Sequence, residues 1–244
     1  ENLLEKYRGV KAGLSRLEHV VYLKGDGQVP SGMEDFENLL KAGGSFQDVP
    51  VSFSDVMSIV YTGGTTGLPK GVLLPHFSYV CAGRRIVRRC GMGPEDSSLR
   101  VTPLNHIAAQ HFVIAALINN TYIALVSRFS ASQFWDQVRK YRTSVISCVG
   151  PMFEILLRQE EKANDRDHPV RVMTSVELSN VPRERVEEFK KRFGIATIQE
   201  IYGMTEFGCF MTVNPKERLK EGSIGTPSDH VEMDIFDEND FPLP

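Results

Sequence analysis

The sequence predicts an α/β fold with a mixed, mostly parallel sheet flanked by helices, and three observations carry that expectation. Short β-rich runs alternate with longer amphipathic stretches from about Ser54 onward. Proline or serine opens four of the amphipathic stretches, where a helix starts. Strand and helix in alternation set successive strands parallel, with helices covering the sheet. A chain of 244 residues, 41% hydrophobic and 24% charged, is an ordinary soluble globular protein, which excludes disorder, collagen and coiled coil.

In chain order, the first 50 residues are weakly patterned: His19 to Leu23 reads as one strand, with Gly25 to Gly32 and Gly43 to Gly44 as flexible punctuation. Residues 1–53 are therefore expected to stand apart from 54–244. The strands that follow are Val56 to Tyr61, Gly71 to Leu74, Leu99 to Thr102, Tyr122 to Val126, Val145 to Val149, Val170 to Thr174, Thr197 to Ile201 and Val231 to Phe236. The helices are Pro75 to Cys90, Ser130 to Tyr141 with Ser130 as cap, Pro151 to Gln159, and Pro182 to Phe193 with Val186, Phe189 and Phe193 as its apolar stripe. No helix fits between Val56 to Tyr61 and Gly71 to Leu74, so this pair is expected to be an antiparallel hairpin within the mixed sheet. Trp135 is expected in the core.

A formal charge of -3 removes any whole-chain attraction to nucleic acid or an anionic membrane surface, so a polyanionic ligand must be held locally. The apolar run Phe112 to Ile118 is far short of the roughly 20 residues that span a bilayer. Cys81, Cys90, Cys148 and Cys209 form no C-x-x-C pair, which disfavours a zinc site or disulfide framework and fits a reducing cytoplasm. Glu1 has no leader before it, suggesting an internal start, and the strand expected to return after Asp237 to Asp240 is missing from the sequence.

The stretch Tyr61-Thr-Gly-Gly-Thr-Thr-Gly-Leu-Pro-Lys-Gly-Val72 joins backbone freedom, hydroxyls and one cation between two strands. Gly63, Gly64 and Gly67 let amides turn toward an anion, Thr62, Thr65 and Thr66 add hydroxyl donors, Pro69 stiffens the exit and Lys70 supplies a point charge. A Walker A loop would have glycine before the lysine and a helix after it; here Pro69 precedes and a strand follows. A glycine-rich hairpin that binds nothing has no need of the adjacent threonines and the terminal lysine.

This loop resembles the phosphate-binding motif of the adenylate-forming superfamily, which includes acyl-CoA synthetases, luciferases and nonribosomal-peptide adenylation domains. Ile201-Tyr-Gly-Met-Thr-Glu206 matches the family's Tyr-Gly-x-Thr-Glu, Gly222-Ser-Ile-Gly-Thr-Pro227 its later Gly-Ser-x-Gly-x-Pro, and Pro103-Leu-Asn-His106 its Pro-Leu-x-His, all in the family's order. The resemblance implies the central part of the large N-terminal domain of such an enzyme, with 1–53 the remnant of a preceding subdomain and 54–244 the nucleotide-binding subdomain, ending before the hinge and C-terminal domain. It implies ATP, Mg²⁺ and CoA as cofactor and co-substrates, and a small-molecule carboxylic acid activated as an acyl-adenylate.

By resemblance, Thr65, Thr66 and Lys70 with the loop amides hold the β- and γ-phosphates, Thr205 reaches the α-phosphate, and Tyr202, followed by Gly203 and Met204, lies against adenine. Glu206 helps hold Mg²⁺, with Thr65 a second metal candidate. His106 and Lys70 are the candidate catalytic groups, His106 bordering the acyl pocket; His111 is read as a packing residue. Arg84, Arg85, Arg88 and Arg89 form a solvated helix face, or else meet the phosphates of CoA.

The chain departs from the family in three ways. Gly63 replaces a serine, Thr174-Ser-Val-Glu-Leu-Ser179 replaces a Gly-Ala-Pro turn, and the ribose-binding Thr-Gly-Asp and the C-terminal lysine have no counterpart. Within the family the nearest resemblance is to crotonobetaine/carnitine-CoA ligases, through Phe134 to Tyr141, Glu177 to Ser179 and Asp237 to Pro244. A trimethylammonium substrate would then meet an aromatic face or Glu177, a fatty acid being the other substrate class. The alternative function is a non-catalytic relative that binds nucleotide or acyl ligand without activating it.

Overall fold

The computed structural model describes residues 3–23, 28–45, 47–63, 67–214, 220, 223–229 and 231–243, with Cys209 and Val213 described through their backbone alone. The chain divides into two compact units, Glu1–Pro50 and Val51–Pro244. In the first, helix α1 (Leu3–Val10) is followed by strands β1 (Val21–Tyr22) and β2 (Glu34–Asp35), which pair in parallel, and by helix α2 (Phe36–Ala42). Asp35 caps α2 by accepting from the Glu37 N–H at 2.9 Å. The strand expected over His19 to Leu23 is reduced to two residues, since its short partner β2 runs straight into a helix.

The second unit holds β3 (Val56–Thr62), β4 (Lys70–Pro75), α3 (His76–Cys90), β5 (Ser97–Arg100), α4 (Ile107–Ile118), β6 (Tyr122–Leu125), α5 (Ala131–Lys140), β7 (Val145–Val149), α6 (Gly150–Leu157), β8 (Val172–Val176), α7 (Arg183–Phe193), β9 (Ile198–Met204), β10 (Cys209–Val213) and β11 (Thr226–Pro227). A seven-stranded sheet runs in the order β11-β10-β9-β8-β7-β5-β6. Strands β5 to β9 pair in parallel, and β10 and β11 add an antiparallel edge, so the sheet is mixed and mostly parallel as the sequence predicts.

Pleating sends alternate residues to opposite faces. On one face Leu99, Ile146, Cys148, Met173 and Ile198 pack against Phe134, Trp135, Phe153, Phe189 and Phe193 of α5, α6 and α7. On the other, Val145, Val172, Ile201 and Phe210 meet Ile86, Phe112 and Ala115 of α3 and α4. Trp135 stacks on Phe193 at 4.5 Å and on His168 at 4.7 Å, in the core where it is expected.

Several expectations are corrected. The hairpin β3-β4 is antiparallel but forms its own two-stranded sheet. Its one buried face, Val60 and Leu74, packs on Tyr79 and Ile107 of α3 and α4, so helices rather than a sheet edge take up its apolar surface. The strand read as Leu99 to Thr102 is Ser97–Arg100, four buried residues of which three are polar. Ser130 stands at the cap of α5 without a capping bond, its hydroxyl 3.3 Å from that of Ser132. Val231 to Phe236 forms no strand beyond a single bridge, Phe236 to Pro242. The return expected to be missing starts within the chain, because Asp237 accepts from the N–H groups of Asn239 and Phe241, each at 2.9 Å, and turns it back.

Candidate nucleotide and acid site

The hairpin places the glycine-threonine loop at its free end, where Thr62 and Lys70 face each other across the last pair of the ladder. Of the loop, Gly63, Gly67, Leu68 and Pro69 are described; Gly64, Thr65 and Thr66 lie outside the described residues. Thr62 is half-buried, and Gly63, Gly67 and Lys70 are exposed. Among the described residues, a Cβ at Gly63 or Gly67 would meet nothing within 4 Å. The absent side chains leave the backbone open to close approach. Lys70 has no hydrogen-bond or ion-pair partner among the described residues.

The second segment leaves the carboxyl end of β9. Tyr202, Gly203 and Met204 finish the strand and are exposed, while Thr205 (half-buried) and Glu206 (exposed) begin a 3-10 turn that ends at Phe207. Gly208 then adopts φ 68°, and a Cβ there would sit 2.6 Å from Ser78 Oγ and 3.3 Å from Leu74 Cδ2. Only glycine fits that position, on both conformation and space. The exit of this segment therefore lies against the base of β4 and the first turn of α3. Leu74 lies four residues along β4 from Lys70, roughly 13 Å of strand, so this contact ties the turn after β9 to the base of the hairpin.

His106 is the N-cap of α4, with Nδ1 accepting from the Ala108 N–H at 3.2 Å. In the neutral tautomer that this bond selects, the ring proton is on Nε2. The loop before it is tied to the hairpin by a relay: the Ser58 hydroxyl donates to Tyr79 Oη at 2.6 Å, Tyr79 donates to Gln110 Oε1 at 2.5 Å, and Gln110 Nε2 donates to the Leu104 carbonyl at 2.8 Å. Strand β3, helices α3 and α4 and the Pro103–His106 loop thus hold one another. Sequence reasoning missed Ser58, Tyr79 and Gln110; only Gln110, a polar residue inside an apolar helix, carried a signal. His111 is buried between the edges of Tyr79 and Phe210, at 5.5 and 5.7 Å. Burial first, then nearby His106, pull its pKa down to about 4 against the Gly208 backbone, so it packs as a neutral ring.

The turn after β8 contains Glu177 at φ 61°, a left-handed conformation unusual for a side chain with a Cβ. Glu200, buried in β9, holds this turn by accepting from the Ser179 N–H at 2.8 Å. Leu178, Ser179, Val181, Ile198 and Glu200 line a cleft of about 600 Å³ that extends to Lys190 and Asn214. Glu200 was legible only as a carboxylate inside an apolar strand. The arginine cluster is not one solvated face: Arg85 is buried and donates to the Phe210 carbonyl at 3.3 Å, whereas Arg88 pairs with Asp229 at 2.8 Å. A helix packed on one side cannot keep four arginines at positions 84, 85, 88 and 89 in water, and α3 turns position 85 inward.

Glu206 has no ion-pair partner among the described residues, and no cluster of three His, Cys, Asp or Glu occurs among them. One exposed carboxylate beside the Thr205 hydroxyl fits Mg²⁺, which keeps waters and takes most of its protein-side binding through one or two carboxylates plus substrate phosphates. Cys81, Cys90 and Cys148 are free thiols, and no helix among the described residues is long and apolar enough to cross a membrane.

A mixed, mostly parallel α/β sheet flanked by helices, with these motifs in this order, is the architecture of an adenylate-forming domain. The AMP-binding enzyme family matches residues 2–244, and the chain belongs to that family. It is 35% identical over 198 residues to crotonobetaine/carnitine–CoA ligases of Shigella sonnei and Escherichia coli O45:K1, covering 80% of this chain and 38% of each relative. The chain thus spans 38% of the length of the curated relatives it matches. Among solved structures, it resembles an anthranilate CoA ligase in complex with anthranoyl-AMP (TM-score 0.85, 18% identity, 100% of this chain and 47% of that one). It also resembles a long-chain-fatty-acid–CoA ligase of Archaeoglobus fulgidus (TM-score 0.84, 24% identity, 99% and 49%). A third likeness is an O-succinylbenzoate coenzyme A synthetase of Bacillus subtilis in complex with ATP and magnesium ion (TM-score 0.71, 23% identity, 85% and 43%).

Proposed function

We propose that the Val51–Pro244 unit is the nucleotide- and acid-binding part of an ATP-dependent acid–thiol ligase. A carboxylate oxygen attacks the α-phosphorus of ATP, pyrophosphate leaves, and the thiol of CoA then attacks the acyl carbonyl and releases AMP. Two anions must meet in the first step, so its barrier is lowered by cations and amides aimed at the phosphates and by holding the groups in line. Lys70 and the amides of the 63–69 loop, with Thr62, Thr65 and Thr66, would hold the β- and γ-phosphates. Thr205 would reach the α-phosphate and Tyr202 would lie against adenine, with Gly203 and Met204 beside it. His106, its proton on Nε2, would donate toward the reacting carboxylate. Mg²⁺, held through Glu206 with Thr65 as second candidate, would supply charge neutralisation at the phosphates.

The observation that supports this reading is the close approach of Gly208 to Leu74 and Ser78, which ties the turn carrying Thr205 and Glu206 to the base of the hairpin that carries the glycine-threonine loop. Carnitine and crotonobetaine, in the names of the relatives, are the first acids to test, with a fatty acid of similar size for comparison. Calorimetric titration of Mg·ATP into the protein is the direct experiment. Binding is expected, and Lys70→Ala should weaken it about tenfold or more, the worth of a hydrogen bond to a charged group. No binding, or binding indifferent to Lys70→Ala, would sink the proposal.

A further inference from the structure

Arg100 ends β5 with 3% of its surface exposed, its guanidinium carbon 3.6 Å above the centre of the Phe112 ring. Nε and Nη2 have no hydrogen-bond partner among the described residues. The ionisable groups that bear on it are the thiols of Cys90 and Cys148, both pushed up to about 12 by burial and therefore neutral. Burial pulls the guanidinium itself down only to about 9, so it stays a cation at neutral pH. A buried cation whose nearest compensation is one aromatic face and two neutral thiols lacks its anion.

Arg100 also belongs to a polar row. The ladder pairs Ser98 with Val145, and Arg100 lies two residues on along the same face of β5; Ser147 aligns with Thr174, and Thr174 with Gln199. All four face α3 and α4, as do Val145, Val172 and Ile201 two positions away on their own strands. Thr174 Oγ1 and Gln199 Oε1 are buried without partners too. The void that these two residues share with Phe112 holds only about 20 Å³, room for about one water. Ser147 is half-buried, as are Val149 and Val176 at the strand ends, and from Arg100, at the carboxyl end of β5, the chain runs on to His106.

We infer that Arg100 is a specificity-determining residue that receives the far carboxylate of a dicarboxylic acid, whose near carboxylate is the one activated at the sheet edge. The inference rests on the reading of the site as one that activates a carboxylic acid. Nε and Nη2 present two parallel N–H groups, the fork that a carboxylate accepts in bidentate fashion. A neutral tail would leave the guanidinium unpaired, and a trimethylammonium tail would be repelled by it.

The test compares affinities of the full chain for glutarate, adipate and suberate with those for monocarboxylates of equal length and for carnitine, with and without Mg·ATP. The dicarboxylate of best length should bind about tenfold or more tighter than its monocarboxylate, and carnitine more weakly than either. Arg100→Met should abolish the preference and Arg100→Lys should keep part of it, while the melting temperature of ligand-free Arg100→Met stays level or rises. A packing role would lower that temperature instead. Arg100→Gln serves as a second neutral variant. Equal affinity for the two acid classes, or a preference that survives both neutral variants, overturns the inference. Loss of the earlier reading would show separately, as an unaltered chain that prefers dicarboxylates yet binds no Mg·ATP.

Discussion

Where α5, α6 and α7 cover the sheet, the strands contribute Leu99, Ile146, Met173 and Ile198, and the helices contribute an aromatic layer in which Phe134, Phe153, Phe189 and Phe193 are essentially sealed from water. Where α3 and α4 cover it, Val145, Val172 and Ile201 share the surface with Arg100, Thr174 and Gln199, whose side chains include buried nitrogens and oxygens without partners. Apolar packing of the first kind stabilises, although Trp135 Nε1 in that layer is also buried without a partner among the described residues. Unpaired polar groups of the second kind destabilise unless something pairs with them. Both motif segments, the His106 cap and the Ser58–Tyr79–Gln110 relay are built on the α3/α4 side, so the less settled face of the sheet is the one that bears the site.

The largest effect that would sharpen this contrast comes from the settled face. Phe189→Ala, at a position 0% exposed and packed between the tilted rings of Phe153 and Phe193 at 4.7 Å from each, should lower unfolding stability by about 3–5 kcal/mol in denaturant melts. A loss near zero would mean that the aromatic layer is not the core of the unit.

A smaller effect comes from a well-paired charge at the amino end of β5. Asp96 is buried, which by itself would raise its pKa, but bonds from Arg171, the Ser144 hydroxyl at 2.5 Å and the Gly93 N–H at 2.8 Å hold it down at about 2. A carboxyl depressed from its ordinary 3.8 to about 2 contributes stability that is fully present above pH 4. That stability is lost as pH falls through about 2, amounting to about 2 kcal/mol. Acid titration of the unfolding free energy should show this limb, and Asp96→Asn should flatten it.

The contrast also explains what could be read from the sequence. Strand-helix alternation and the apolar stripe of α7 were legible because each element buries one face in a regular period. Strand β5 was placed two residues late because Ser97, Ser98 and Arg100 are polar yet buried, a composition that pattern reading assigns to a surface. The hairpin's single apolar face was visible in its alternation, but whether helices or a sheet edge would cover it was not. The expected strand Val231 to Phe236 had the right alternation, but among the described residues it pairs only through the single bridge Phe236 to Pro242. Among the site residues, those inside motifs were legible in number and order. Of those that act through position, Gln110 and Glu200 showed only as polar residues inside apolar elements, and Tyr79 and Gly208 not at all, because the partners that give them their place lie 21 to 134 positions away in the chain.

The measurement that bears most directly on the site is a double-mutant cycle on Mg·ATP affinity, with Lys70→Ala, Thr205→Ala and the pair. If the hairpin end and the turn after β9 grip one triphosphate, the two losses should be non-additive, with a coupling of about 0.5–3 kcal/mol. Losses that simply add, or a Thr205→Ala variant that binds Mg·ATP as the unaltered chain does, would mean that the two segments do not serve one nucleotide.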